Sequence, residues 1–97
     1  MKLVIAPLAL TELNDAATFY TLKANAGLGL AFVAEFERTA NLILSNPLLG
    51  AVFRGNRRRY ILRHFPYSII YQVTTEELRI LAVAHHSRRP GYWEKGK

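Results

Sequence analysis

The sequence predicts an α+β domain of order βααβββ, a helical hairpin packed on one face of a small antiparallel sheet. Three observations carry this. Apolar residues in the first half recur at three- and four-residue steps, the period of a helix. The second half changes to short runs of branched and aromatic residues separated by turns, the pattern of strands. With 97 residues the chain holds one core, so residues 1–97 form a single domain.

The elements follow in order. Lys2-Leu3-Val4-Ile5 is a short apolar strand stopped by Ala6-Pro7. Pro7 suits the first turn of a helix, where its missing N–H costs nothing. Ala9, Leu13, Ala16, Ala17, Tyr20 and Ala24 then form a helical face. Asn25-Ala26-Gly27 breaks it, Asn25 and Gly27 both suiting a helix C-terminus. A second face runs through Leu28, Phe32, Phe36, Thr39 and Ile43, widened by Ala31, Ala40 and Leu44. Asn46-Pro47 ends it, since the residue before a proline is pushed out of the helical region.

A strand spans Arg58 to His64, Phe65-Pro66-Tyr67 turns, and Ser68-Ile69-Ile70-Tyr71-Gln72-Val73 returns. Thr74 to Glu77 is a polar hairpin loop. Leu78 to Ala84 is apolar almost throughout, as in a central strand covered on both faces.

Composition narrows the function. The absence of cysteine excludes disulfides, thiolate metal sites and a thiol nucleophile. No apolar run approaches a membrane span, and residues 1–7 are too short for the core of a signal peptide, so a soluble cytoplasmic protein is expected. Hydrophobic residues make up 51 % of a chain whose pI is near 10. A domain this small hides that much apolar side chain only if a partner covers some of it. Charge is lopsided: residues 1–50 carry three basic and four acidic side chains, residues 51–97 ten and three. An acidic partner or a polyanion is expected to meet the C-terminal half.

Two clusters could act. Arg54, Arg57, Arg58, Arg59 and Arg63 place five guanidiniums within ten residues, more than protection of a sheet edge needs, and suit carboxylate or phosphate. The tail His85-His86-Ser87-Arg88-Arg89-Pro90-Gly91-Tyr92-Trp93 gathers imidazoles, guanidiniums and aromatics. It could bind nucleic acid by charge and stacking or move protons beside a phosphate. Equally, Tyr92 and Trp93 could cap the core with Arg88 and Arg89 in water. No metal is expected, because adjacent strand residues His85 and His86 point to opposite faces and His64 adds no ligand spacing. Gly27-Leu28-Gly29 lacks the further glycine of a dinucleotide loop, and there is no nucleophile elbow.

The runs Arg63-His64-Phe65-Pro66-Tyr67-Ser68-Ile69-Ile70-Tyr71 and Ala82-Val83-Ala84-His85-His86-Ser87-Arg88-Arg89-Pro90-Gly91-Tyr92-Trp93 resemble the RelE/ParE superfamily of bacterial type II toxins, and its ParE branch most closely. Ala9, Glu12-Leu13 and Tyr20 match the family's first helix; Phe32, Leu44, Pro47 and Gly50 match its second helix and exit. The resemblance implies a toxin held inactive by a cognate antitoxin, from an operon that stabilises a plasmid or chromosomal region, with no cofactor. ParE-like members poison DNA gyrase by protein–protein contact, whereas RelE-like members cleave ribosome-bound mRNA.

RelE-like nucleases carry Arg where this chain has Ser68, and lysines where it has only arginines. Loss of one guanidinium facing the transition-state phosphate costs on the order of 3 kcal/mol, so the resemblance points to gyrase. Arg58, Arg59 and Arg63 in the sheet, with His85, Arg88, Arg89, Tyr92 and Trp93 in the tail, are expected to contact target or antitoxin, Trp93 partly as core. In the nuclease alternative His85 is the general acid or base, Arg63 and Arg88 stabilise phosphate, and Tyr92 orients or stacks a base.

Overall fold

The structure, a computed structural model, describes residues 1–89 and 91–96; Pro90 of the tail and Lys97 lie outside the described residues. Strand β1 (Lys2–Ile5) leads into helices α1 (Pro7–Lys23) and α2 (Ala26–Ser45). Strands β2 (Ala51–Arg54), β3 (Arg57–Ile61), β4 (Tyr67–Val73) and β5 (Glu77–His85) follow, then a 3-10 helix, Tyr92–Gly96. They form one sheet of order β1-β5-β4-β3-β2. The helical hairpin lies on the sheet as the sequence predicts, but the sheet is mixed, because β1 pairs parallel to β5. Among the described residues, no helix is long and apolar enough to cross a membrane.

Three local features depart from the sequence expectation. Residues 51–54 add an edge strand, β2, which the sequence analysis does not assign. Its two-residue connection to β3 begins at Gly55, whose φ of 56° suits the first central position of a type II′ turn. Asn25 is the N-cap of α2, not the end of α1: its side chain accepts the Leu28 N–H at 2.8 Å. Finally, β3 stops at Ile61, so Arg63 stands in the turn beyond the strand. There Glu35 of α2 accepts the Arg63 N–H at 2.7 Å, and His64 adopts a left-handed φ of 66°.

Glu35 also accepts two guanidinium bonds from Arg38 at 2.8 and 2.9 Å. The Arg38 bonds, helped by the Arg63 amide, hold the Glu35 carboxyl down at about 2.

The helices cover one face of the sheet. Ala9, Leu13 and Ala16 of α1 and Phe32, Phe36, Ala40 and Ile43 of α2 meet Ile69, Tyr71, Leu78, Ile80 and Val83. Gly29 permits the close crossing of the hairpin, since a Cβ there would stand 2.8 Å from the Ala17 carbonyl oxygen. Phe32 packs edge-on against Phe65 and Tyr67, at 5.1 and 5.0 Å between centroids, and this fixes the β3–β4 turn to α2.

Alternation along β5 is interrupted at Leu81. Ile70 pairs with Ala82 and Tyr71 with Ile80, so Leu81 is the extra residue of a bulge. Ile80 and Val83 therefore both face the helices, while Ala82 joins the opposite face.

Tyr71 fastens the entry to β2. Its hydroxyl donates to the Pro47 carbonyl at 2.9 Å and accepts the Gly50 N–H at 2.8 Å, with none of the residue exposed. Tyr71→Phe would orphan a buried N–H, and a loss of about 1–3 kcal/mol is expected in urea denaturation.

Candidate functional site

The face of the sheet away from the helices is closed by the chain's own C-terminal tail. Trp93, 5 % exposed, sits on Ile70 and Ala82, with Leu8, Phe53, Leu81, Ala84 and Tyr92 around it. The five-residue 3-10 helix places Tyr92 and Trp93 on this surface after the turn at Gly91, whose φ is 79°. The Arg57 guanidinium lies 5.2 Å from the Trp93 ring centroid, and Arg59 lies 5.3 Å from that of Phe53. Glu94 faces Arg54 at 3.5 Å and Arg57 at 3.9 Å. Ion pairs this exposed contribute about 0–1 kcal/mol each, so Trp93 is the main anchor.

Beside the anchored tail is a cavity of about 100 Å³, bounded among others by Arg59, Ser68, His86, Arg88 and Arg89. Arg59, Arg88 and Arg89 are exposed around it. His86 Nε2 lies 3.0 Å from the hydroxyl of Ser68, which is buried on this face. On the other side of the strand, His85 stands edge-on to Tyr67 at 4.9 Å. Its Nδ1 accepts the Ser87 N–H at 3.0 Å and lies 2.7 Å from the Ser87 hydroxyl. A ring nitrogen that accepts a backbone N–H carries no proton, so neutral His85 is the Nε2–H tautomer.

Glu12 ties the tail to the helical layer. One carboxylate oxygen accepts the Val83 N–H at 2.9 Å and the other accepts the Tyr92 hydroxyl. The reason lies in β1, whose pairing with β5 ends at Ile80. Val83 lies past that end, and its N–H takes a side-chain acceptor instead of a strand. Burial raises the Glu12 carboxyl above its ordinary value, partly offset by the two hydrogen bonds. Burial first and the Glu12 hydrogen bond second push the Tyr92 phenol up. The Arg88 guanidinium sits 3.9 Å over the Tyr92 ring.

Because the folded state holds the Tyr92 proton more tightly than the unfolded chain does, this contribution is complete below about pH 10. It is lost as pH rises through the higher folded value. Melting curves from about pH 9 to about 11 should therefore fall less steeply for Tyr92→Phe than for the parent.

The candidate residues divide accordingly. His85, Arg88, Arg89, Tyr92 and Trp93 are brought together, with Arg59 at their rim. Arg58 is occupied elsewhere, donating to the Leu48 and Gly50 carbonyls at 3.2 and 2.8 Å and so bracing the α2–β2 loop. Arg63 lies apart, in a groove with Leu28, Glu35, Arg38 and Phe65. Glu12, Phe53 and Glu94 are the neighbours of the site that sequence reasoning did not single out; Arg54 and Arg57, named with the basic cluster, are drawn to it by Glu94. An acid at Glu12 directly beside core residue Leu13 was the available signal.

A solved structure described as a chromosomal ParDE TA system from P. aeruginosa matches with a TM-score of 0.78 at 19 % identity, covering 88 % of this chain and 95 % of that one. Residues 3–90 match the family model described as the ParE toxin of the type II toxin-antitoxin system, parDE, and the chain belongs to that family. No curated protein sequence matches it. Tyr92 and Trp93 follow the matched residues, so their place in the site rests on the geometry above.

Proposed function

We propose that this ParE toxin acts by inhibiting DNA gyrase through protein–protein contact, and that a cognate antitoxin neutralises it. The supporting observation is the state of the groups that cleavage of RNA would need. Tyr92 is held by Glu12 with its phenol pushed up, away from the value of a base at neutral pH. The basic nitrogen of His85 is occupied by Ser87, and the position of the nuclease arginine is Ser68, 2 % exposed. What remains for a partner is a rim of exposed guanidiniums, Arg59, Arg88 and Arg89, around an aromatic base. Such a surface suits carboxylates on another protein, which speed encounter and fix register.

The antitoxin has complementary places to bind. An apolar groove of about 480 Å³ runs between α2 and β1, lined by Leu3, Ile5, Val33 and Phe36 among others. Leu22 and Leu30, 78 % and 71 % exposed at the hairpin end, extend the apolar surface. A segment with apolar anchors for these sites and acidic side chains for the basic face would cover both.

The test is induction in cells with and without the antitoxin. Expected are DNA breaks and an SOS response that depend on gyrase, intact mRNA, and growth restored by the antitoxin. Cleavage of ribosome-bound message would replace this reading with a nuclease.

A further inference from the structure

Leu8 and Glu12 stand one turn apart on α1, where the helical layer reaches round to the tail. The carboxylate of Glu12 is shared between a fixed donor, the Val83 N–H of β5, and a movable one, the Tyr92 hydroxyl. Tyr92 in turn lies beneath the Arg88 guanidinium. The direction of Arg88 is thus set by a phenol, and the direction of the phenol by a helix on the other side of the sheet. The remaining staples, Trp93 on the sheet and Glu94 on Arg54 and Arg57, hold the tail down without orienting Arg88.

We propose that Glu12 is a positioning residue for the toxin's contact with its target: it holds Tyr92, and through it Arg88, in the orientation the target meets. This rests on the reading that the tail carries the target contact, but not on which target that is. The step is one of orientation: Glu12 is half-buried in the groove it shares with His85 and Arg88, and its carboxylate also attracts the Arg88 guanidinium directly. A glutamine at this position keeps the shape and an acceptor oxygen for the Val83 N–H, but turns an NH2 toward Tyr92. The phenol then loses its charge-assisted acceptor and must rotate its proton away to accept a weaker neutral bond. It should therefore loosen Arg88 while leaving the core unchanged.

The experiment uses the full chain as Glu12→Gln, Tyr92→Phe and the double variant. Asn25→Ala serves as a control that removes the α2 cap, far from the tail, at a comparable loss of Tm. Each single tail variant should raise the toxin level needed for half-arrest by roughly tenfold, equivalent to about 1.4 kcal/mol. The double should raise it little further than Glu12→Gln alone, because the phenol–carboxylate bond is part of what that change removes. Asn25→Ala should leave the level within about twofold, as expected of sites too distant to couple.

Arrest by Glu12→Gln at the parental level would overturn the proposal. So would an equal loss in Asn25→Ala, or effects of the two tail changes that simply multiply.

The Arg88 guanidinium over the Tyr92 ring gives a readout free of toxicity, the ring-current shift of its side-chain NMR signals. In purified Glu12→Gln that shift should diminish, with far-UV circular dichroism unchanged. An unaltered shift would also overturn the proposal. Were arrest to come with message cleavage, the gyrase reading would fall and the arrest levels would still decide the role of Glu12. Were the parent not to arrest growth, the target reading would fall and the Arg88 signals would decide positioning alone.

Discussion

Trp93→Ala is expected to cost about 3–5 kcal/mol and to abolish growth arrest, the largest effect of any single substitution in the tail. The indole is almost wholly buried on Ile70 and Ala82 and carries the Arg57 guanidinium over its ring. Its removal leaves a cavity that the sheet, fixed by its own ladder on that face, cannot collapse to fill. The Glu94 pairs are partly exposed and individually weak, and the Tyr92–Glu12 bond holds the preceding residue at the sheet edge, so neither fills the place of the indole. Urea denaturation followed by circular dichroism measures the stability, and induced expression the arrest. A loss below about 1 kcal/mol with full toxicity would mean that Trp93 does not seal this face.

Arg88→Ala with Arg89→Ala should do the reverse, sparing the fold and removing the function. Both side chains are exposed; the described contact of the Arg88 guanidinium is with the Tyr92 ring, worth about 0.5–1 kcal/mol at such a site. Guanidiniums at the centre of an interface commonly carry about 2 kcal/mol or more, so losing two should weaken target contact by roughly a hundredfold or more. Melting temperature and growth arrest, read together, check this. Undiminished arrest by a folded double variant would remove the tail from the mechanism.

Most of the fold was legible in the sequence because its elements follow strong local rules. The period of α1 and α2, Pro7 at a helix start and the branched residues of β4 each state their conformation without tertiary context. What failed depended on partners distant in sequence. β2 is four residues long, with Arg54 at its end, and becomes a strand only because β3 offers a ladder beside it. The parallel pairing of β1 is a property of topology, invisible in Lys2–Ile5 itself. β3 ends early because Glu35, 28 positions away, captures the Arg63 amide.

The site divides along the same line. A tail rich in Arg, His, Tyr and Trp beside a strand end marks itself by composition, and it assembles as a unit. Arg58 and Arg63 looked equivalent to Arg59 in sequence, and only the β2–β3 pairing and the turn separate their surroundings. Glu12 was hidden for another reason. Its role follows from a sheet edge left open where β1 stops, a vacancy that sequence periodicity does not encode.

The most direct test of the central claim is supercoiling by purified DNA gyrase in the presence of the purified toxin. The account predicts inhibition that the cognate antitoxin relieves and that the Arg88→Ala, Arg89→Ala variant largely loses. Unhindered supercoiling, with cleavage of ribosome-bound mRNA by the same preparation, would contradict it.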